Sequence, residues 1–285
     1  MKKYYYELVI GNGEKTFNYL NTGLSKRELE ISQNLKNIMD TARRLMVMER
    51  IVIDSFLKLK SVNFQELKKL GDTDQVNELV INFVSNAKLF IDYLDTRWAP
   101  KYISNFYSDW KKVCSKFYDE DESYRLCYHL RNFVQHSGML PISKVVEESE
   151  PNRSVRTIFE LNIDSFKGFK KEFKKLNINE SYWNHIGNLS FMQHANDYIG
   201  AIIVLYKIAL VQYIKNNLSL LDKIYNEAKN TKLKTAICWT YISPQDTEAC
   251  IAKNKFTVHP ITTLVDLNDF YRELKGQGII EKTKE

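Results

Sequence analysis

Ser25–Leu59, SKRELEISQNLKNIMDTARRLMVMERIVIDSFLKL, decides the fold class. It opens on Ser25-Lys26-Arg27-Glu28, the S-x-x-E spacing of a capping box. In that motif the serine hydroxyl and the glutamate carboxylate each satisfy a backbone N–H that the first helical turn leaves without a partner. Ile31, Leu35, Ile38, Ala42, Leu45, Val52 and Phe56 then recur at three- and four-residue steps, giving one apolar stripe of helical period as far as about Leu59.

The same texture continues downstream. After Gly71-Asp72, a second stripe runs through Val76, Leu79, Val80, Phe83, Ala87, Phe90, Ile91 and Leu94. Pro100 suits the first turn of a third helix carrying Tyr102, Phe106, Trp110, Val113 and Phe117. The acidic cluster Asp119 to Glu122 favours the positive end of a fourth helix, from about Ser123 to His136, which Gly138 and Pro141 close. Four such helices in succession imply a bundle.

On either side the pattern changes. Residues 4–10 and 15–20 are aromatic and β-branched runs around Gly11-Asn12-Gly13, the composition of a short hairpin. Past the bundle, Ser149-Glu150-Pro151-Asn152 marks a loop and Val155 to Leu161 a strand; helices are expected over Leu189 to Tyr213 and Leu218 to Lys229. Thr235 to Ile242 and Phe256 to Val265 suit strands, with short helices near 244–253 and 267–275. The expected organisation is mainly α: a hairpin over 1–24, a helical bundle over 25–230 with a strand-containing insert near 150–180, and a small α/β tail over 231–285.

Composition agrees with a folded helical chain. Of 285 residues 44% are hydrophobic and 27% charged, with only 10 Gly and 5 Pro, which disfavours disorder and turn-dense sandwiches or barrels. The net charge of +6 is compatible with a polyanionic partner. Cys114, Cys127, Cys238 and Cys250 form no C-x-x-C pair and have no His at ligand spacing, so reduced thiols and no metal site are expected. The N-terminal MKKYYYELVI lacks the apolar core of a signal peptide. The apolar tract Tyr198–Tyr213 is interrupted by Lys207 and Gln212, short of the ~18 uninterrupted residues of a membrane helix, and is expected to be a core helix. A cytoplasmic protein without a membrane partner is the expectation. No Walker loop, Rossmann glycine pattern, H-E-x-x-H or G-x-S-x-G occurs, which disfavours nucleotide hydrolases, dehydrogenases, zinc proteases and serine hydrolases.

Chemistry concentrates in Tyr128-His129-Leu130-Arg131-Asn132-Phe133-Val134-Gln135-His136-Ser137-Gly138. On a helix Asn132 and His136 form an i,i+4 pair, and His129 lies nearly on the same line. Arg131 is rotated by about 140° from His136, at 100° per residue, and reaches the same place only by its length. An imidazole moves a proton near neutral pH, and a guanidinium holds two phosphate oxygens in a fork. That pair suits cleavage of RNA: the ribose 2′-OH is the nucleophile, and the protein supplies proton transfer and charge stabilisation without a metal or other cofactor. A structural reading also exists, with His136 favoured by the helix C-terminus and Arg131 a surface cation.

Arg131-Asn132-Phe133-Val134-Gln135-His136 resembles the signature of the HEPN family: Arg, a polar residue, three residues, then His near the end of a bundle helix. The stretch LRNFVQHSGMLP is similar to the form found in bacterial HEPN proteins of phage defence and toxin systems. The resemblance, covering roughly residues 25–230, implies a dimeric helical bundle acting as a metal-independent endoribonuclease. In it Arg131 and His136 are catalytic, Asn132 supports them, and two copies share a composite cleft. Ser137-Gly138 follow His136 where some toxin members carry His-x-Tyr, which argues against control by tyrosine modification. The rival function is a catalytically inactive HEPN-like interaction or nucleotide-binding module that regulates a partner protein.

Further candidates surround this motif. His129 is a supporting residue or a packed neighbour. Glu49 falls in register with the stripe between Leu45 and Val52, so it is expected to point inward, pairing with an arginine or orienting the site. Lys167, Lys170, Lys171, Lys174 and Lys175 alternate with Phe166, Phe169 and Phe173, as a solvated amphipathic helix does, and the same face suits RNA phosphates. His185 and His194 are nine apart, on opposite faces of any helix holding both, and are not expected to share a ligand.

Overall fold

Ser25 and Glu28 form the capping box that their spacing predicts: the Glu28 N–H donates to Ser25 Oγ at 3.2 Å, and the Ser25 N–H donates to Glu28 Oε2 at 2.7 Å. The computed structural model describes residues 2–11, 14–62, 72–137, 140, 142–149, 154–162, 188–253 and 255–280, with 72, 135–137, 142–149, 154–162 and 188–190 described by backbone alone. The elements begin with strands β1 (Tyr4–Gly11) and β2 (Glu14–Tyr19), then helices α1 (Lys26–Lys60), α2 (Asp72–Tyr93), α3 (Ala99–Tyr102), α4 (Tyr107–Glu120) and α5 (Glu122–Ser137). Strands β3 (Ile142–Ser149), β4 (Ser154–Asn162) and β5 (Asn188–Ser190) follow, then helix α6 (Phe191–Ala228), strand β6 (Ile237–Thr240), helix α7 (Thr247–Ala252), strand β7 (His259–Ile261) and helix α8 (Leu264–Gly276). The class is mainly helical, with small antiparallel sheets.

The chain divides into two compact units, residues 1–44 with 213–285, and residues 45–212. This replaces the expected boundaries at 24/25 and 230/231, for a physical reason. A two-stranded hairpin is marginal alone and leaves a row of unpaired backbone groups on each side. In the first unit β1 fills its second side with β6, pairing Tyr4 with Thr240 and Glu7 with Ile237, so hairpin and tail form one antiparallel sheet in the order β2-β1-β6-β7. Tyr6, 1% exposed, shares a hydrogen bond of 2.8 Å with Thr247 Oγ1 and meets the Phe256 ring edge-on. Glu28 serves a second purpose here, its other oxygen accepting the Lys232 N–H at 3.1 Å. Burial works to raise its carboxyl, but hydrogen bonds from Ser25 and Lys232 outweigh that and hold it below the ordinary range.

Within residues 45–212 the helices pack through aromatic rings. Phe56 of α1 meets Phe83 of α2 at 5.5 Å between centroids, Phe83 meets Tyr198 of α6 at 6.0 Å, and Tyr198 meets Tyr124 of α5 at 5.3 Å. Strands β3, β4 and β5 make a separate antiparallel sheet in that order, so the expected insert begins at residue 142 rather than near 150.

Two helix boundaries differ from expectation. The helices expected over 189–213 and 218–229 are one helix, α6: Asn217 Nδ2 donates to the Tyr213 carbonyl four residues back, and Leu221, Ile224 and Ala228 carry the buried stripe onward. The third helix is broken instead. From α2 the chain passes through a π-turn at Leu94–Trp98 into α3, then leaves helical geometry at Ile103 (φ −131°, ψ 40°) before α4 begins. Contrary to the tract-based expectation, α6 is long and apolar enough to cross a membrane; 56% of its most apolar stretch is buried within the protein, as in a core helix.

Glu28 thus ties the start of α1 to the strand-bearing tail. Replacing it with Ala removes a cap and leaves the Lys232 N–H without its acceptor, so Glu28→Ala is expected to lower the unfolding free energy by ~2 kcal/mol in urea titration, against ~1 kcal/mol for Ser25→Ala. Equal losses from the two variants would contradict the second role.

Candidate functional site

Helix α5 carries the motif, and its ends are set by different devices. At its start the Tyr124 N–H donates to Asp121 Oδ1 at 2.8 Å, an N-cap supplied by the acidic cluster. Arg125, 7% exposed, turns its guanidinium back onto α4 and donates to the Tyr118 and Asp119 carbonyls at 3.1 and 3.0 Å, satisfying groups that the end of α4 leaves over. Ser123, Tyr124, Arg125, Leu126 and Cys127 are all buried. From Tyr128 onward the helix emerges: Leu130 and Phe133 stay buried while Tyr128, His129, Arg131, Asn132 and Val134 are half-buried.

The exit from α5 is held by α2. Asn77, 4% exposed, donates from Nδ2 to the Leu140 carbonyl at 3.0 Å and accepts the Leu140 N–H at 3.1 Å. Its amide thereby mimics a strand partner for the segment just past the motif. Lys88 of α2, ion-paired with Asp92, places Nζ 4.2 Å from the centre of the Tyr128 ring.

Arg131 and Asn132 stand side by side near the end of this helix, and His136 lies five positions on in its last turn, placed by backbone alone. His129 sits against α4: Tyr118 Oη is 2.6 Å from its Nε2, and the Tyr118 and Tyr128 rings flank it at 5.7 and 5.5 Å. Those contacts give His129 the packing role of its two readings. Glu49 is half-buried on α1; burial pushes its carboxyl up, against the lowering influence of Arg50 and Lys207. Lys167, Lys170, Lys171, Lys174, Lys175 and His185 lie outside the described residues.

A second polar cluster was not legible from spacing. Ser123 Oγ lies 2.9 Å from His194 Nδ1 and donates to Asp197 Oδ2 at 3.1 Å, beside a cleft of about 930 Å³ that Lys116, Glu120, Asp121 and Asn196 also line. His194-x-x-Asp197 is a visible i,i+3 pair, but its partner is 71 residues upstream in sequence. Burial depresses the His194 imidazole below its ordinary value despite Asp197 and Asp121. Ser123 is eight residues before Arg131, about 12 Å along the helix at 1.5 Å per residue, so the two clusters are separate.

Cys127 and Cys238 are buried, and Cys114 is half-buried; burial pushes the Cys114 thiol to about 12 and the Cys238 thiol to about 11, away from nucleophilic chemistry. Among the described residues no three His, Cys, Asp or Glu side chains are grouped as metal ligands would be. Comparison with protein-family models, with curated proteins and with solved structures gives no match.

The depressed His194 sets a pH dependence. Because the unfolded chain binds a proton near pH 6.5 that the folded chain binds only at lower pH, stability is full above that value and is lost as pH falls through it. Melting temperatures measured at pH 7.5 and 5.5 should differ less in His194→Gln than in the wild type. An unchanged difference would contradict the assignment.

Proposed function

We propose that the chain is a HEPN-like, metal-independent endoribonuclease whose catalytic residues are Arg131 and His136. The observation that carries this reading is the Arg131-Asn132-x-x-x-His136 motif on the last turns of α5, where a helix buried on all sides at its start becomes half-buried. Two features support it. The segment past the motif is tied to α2 through Asn77 and Leu140, which gives the end of α5 a fixed course. The net charge of +6 favours a polyanion.

In this reading the ribose 2′-OH attacks the adjacent phosphorus, forming a P–O2′ bond. His136 transfers the proton that this attack requires, and Arg131 neutralises the charge that builds on the phosphorane oxygens. Asn132 steadies one of the two. The P–O5′ bond then breaks, leaving a 2′,3′-cyclic phosphate on one product and a 5′-OH on the other. Since Arg131 and His136 diverge by about 140° on an ideal helix, two copies facing across a two-fold axis gather more groups around one phosphate than a single helix does. The setting is cytoplasmic, in antiviral or toxin-type defence.

Arg131→Ala and His136→Ala are each expected to reduce RNA cleavage by about 10²-fold or more, with Asn132→Ala less severe. RNA binding by the His136 variant and its melting temperature should stay near wild type. Wild-type cleavage by either of the first two variants, or loss of folding in both, would overturn the assignment.

A further inference from the structure

The solvent face of α1 in residues 45–60 is unusual in two respects. It carries three large apolar side chains in the open, Val47, Ile51 and Leu57, exposed by 53%, 48% and 51%. Between them stand exposed Arg50 and Asp54, which have no ion-pair partner among the described residues. Lys36–Asp40 and Lys88–Asp92 have the same basic-to-acidic spacing of four and do pair along their helices. Arg50 and Asp54 are left available.

The order of these residues is self-complementary. Val47 and Leu57 lie five positions either side of Val52, and Arg50 and Asp54 lie two positions either side of it. At 100° per residue all four fall within about 40° of one line on the helix, while Val52 itself, 1% exposed, points to the opposite, inner side. A two-fold axis beside residue 52 lays this face antiparallel on its own copy. It sets Arg50 against the partner's Asp54 twice over and brings Val47 towards the partner's Leu57, with Ile51 at the margin. A symmetric contact requires that a surface match itself under such a rotation.

We infer that this face of α1 holds two copies of the chain together, with two intermolecular Arg50–Asp54 ion pairs inside an apolar frame. A single helix-to-helix contact is at the small end of stable interfaces, so association is expected at micromolar concentrations and weakens with salt. The inference stands on α1 alone and goes beyond the nuclease reading.

Light scattering at micromolar concentration tests it by charge exchange. The wild-type chain should have the mass of a dimer. Arg50→Glu alone places two Glu–Asp repulsions in the contact and Asp54→Arg alone places two Arg–Arg repulsions, so each variant should dissociate at least tenfold more readily. An equimolar mixture of the two restores both attractive pairs and should return to the dimer mass. A monomeric wild type, single variants of unchanged mass, or a mixture that stays monomeric would overturn the inference. Full RNA cleavage by monomeric Arg50→Glu would leave the pairing intact and remove only the composite cleft of the nuclease reading.

Discussion

The seating of Tyr198 between Phe83 and Tyr124 is the contact on which residues 45–212 depend. It joins α2, α5 and α6 at one point, and Phe56 extends it to α1. An aromatic side chain buries roughly 150–250 Å², worth about 4–6 kcal/mol at ~25 cal/mol per Å² as an upper bound. The Tyr198 hydroxyl, buried without a hydrogen-bond partner among the described residues, offsets only ~1–3 kcal/mol of that. Ring burial therefore wins, and it clamps α5 at its first turns. Arg125 and Asp121 reinforce the same end through hydrogen bonds, and the far end of the helix is left to carry polar groups.

That division gives α5 two functions along one length. Its first half is a structural post, and its second half, from Tyr128 to Ser137, presents a histidine, an arginine and an asparagine on a support that Asn77 steadies through Leu140. The Ser123–His194–Asp197 cluster belongs to the post. It ties the start of α5 to the start of α6, and its depressed imidazole makes that tie sensitive to acid.

What was legible in the sequence was local. The Ser25–Glu28 box, the apolar stripe of α1, the acidic start of α5 and the Arg131-to-His136 spacing are all written within a few turns, where helix geometry relates position to direction. Pairing of Tyr4 with Thr240 spans most of the chain, and nothing in either strand names the other, so hairpin and tail seemed separate. The Asn216-Asn217 pair suggested a break because asparagine competes with helical hydrogen bonds, yet Asn217 meets that need at the Tyr213 carbonyl. Ile103 broke a helix that its apolar period alone would have continued. His194 illustrates the limit for sites: its ring nitrogen meets a serine from a different helix, and no spacing rule connects the two.

The central claim, that Arg131 and His136 direct the 2′-OH of RNA onto its own phosphate, is tested most directly at the cut ends. Total RNA is incubated with the protein in excess chelator, and the product termini are sequenced with chemistries selective for each end group. The account predicts cleavage that persists in chelator, every product carrying a 2′,3′-cyclic phosphate and a 5′-OH, and no cut where 2′-deoxyribose replaces ribose on the 5′ side of the cleavage site. Products bearing 5′-phosphates, or cleavage that proceeds only with added magnesium, would contradict it.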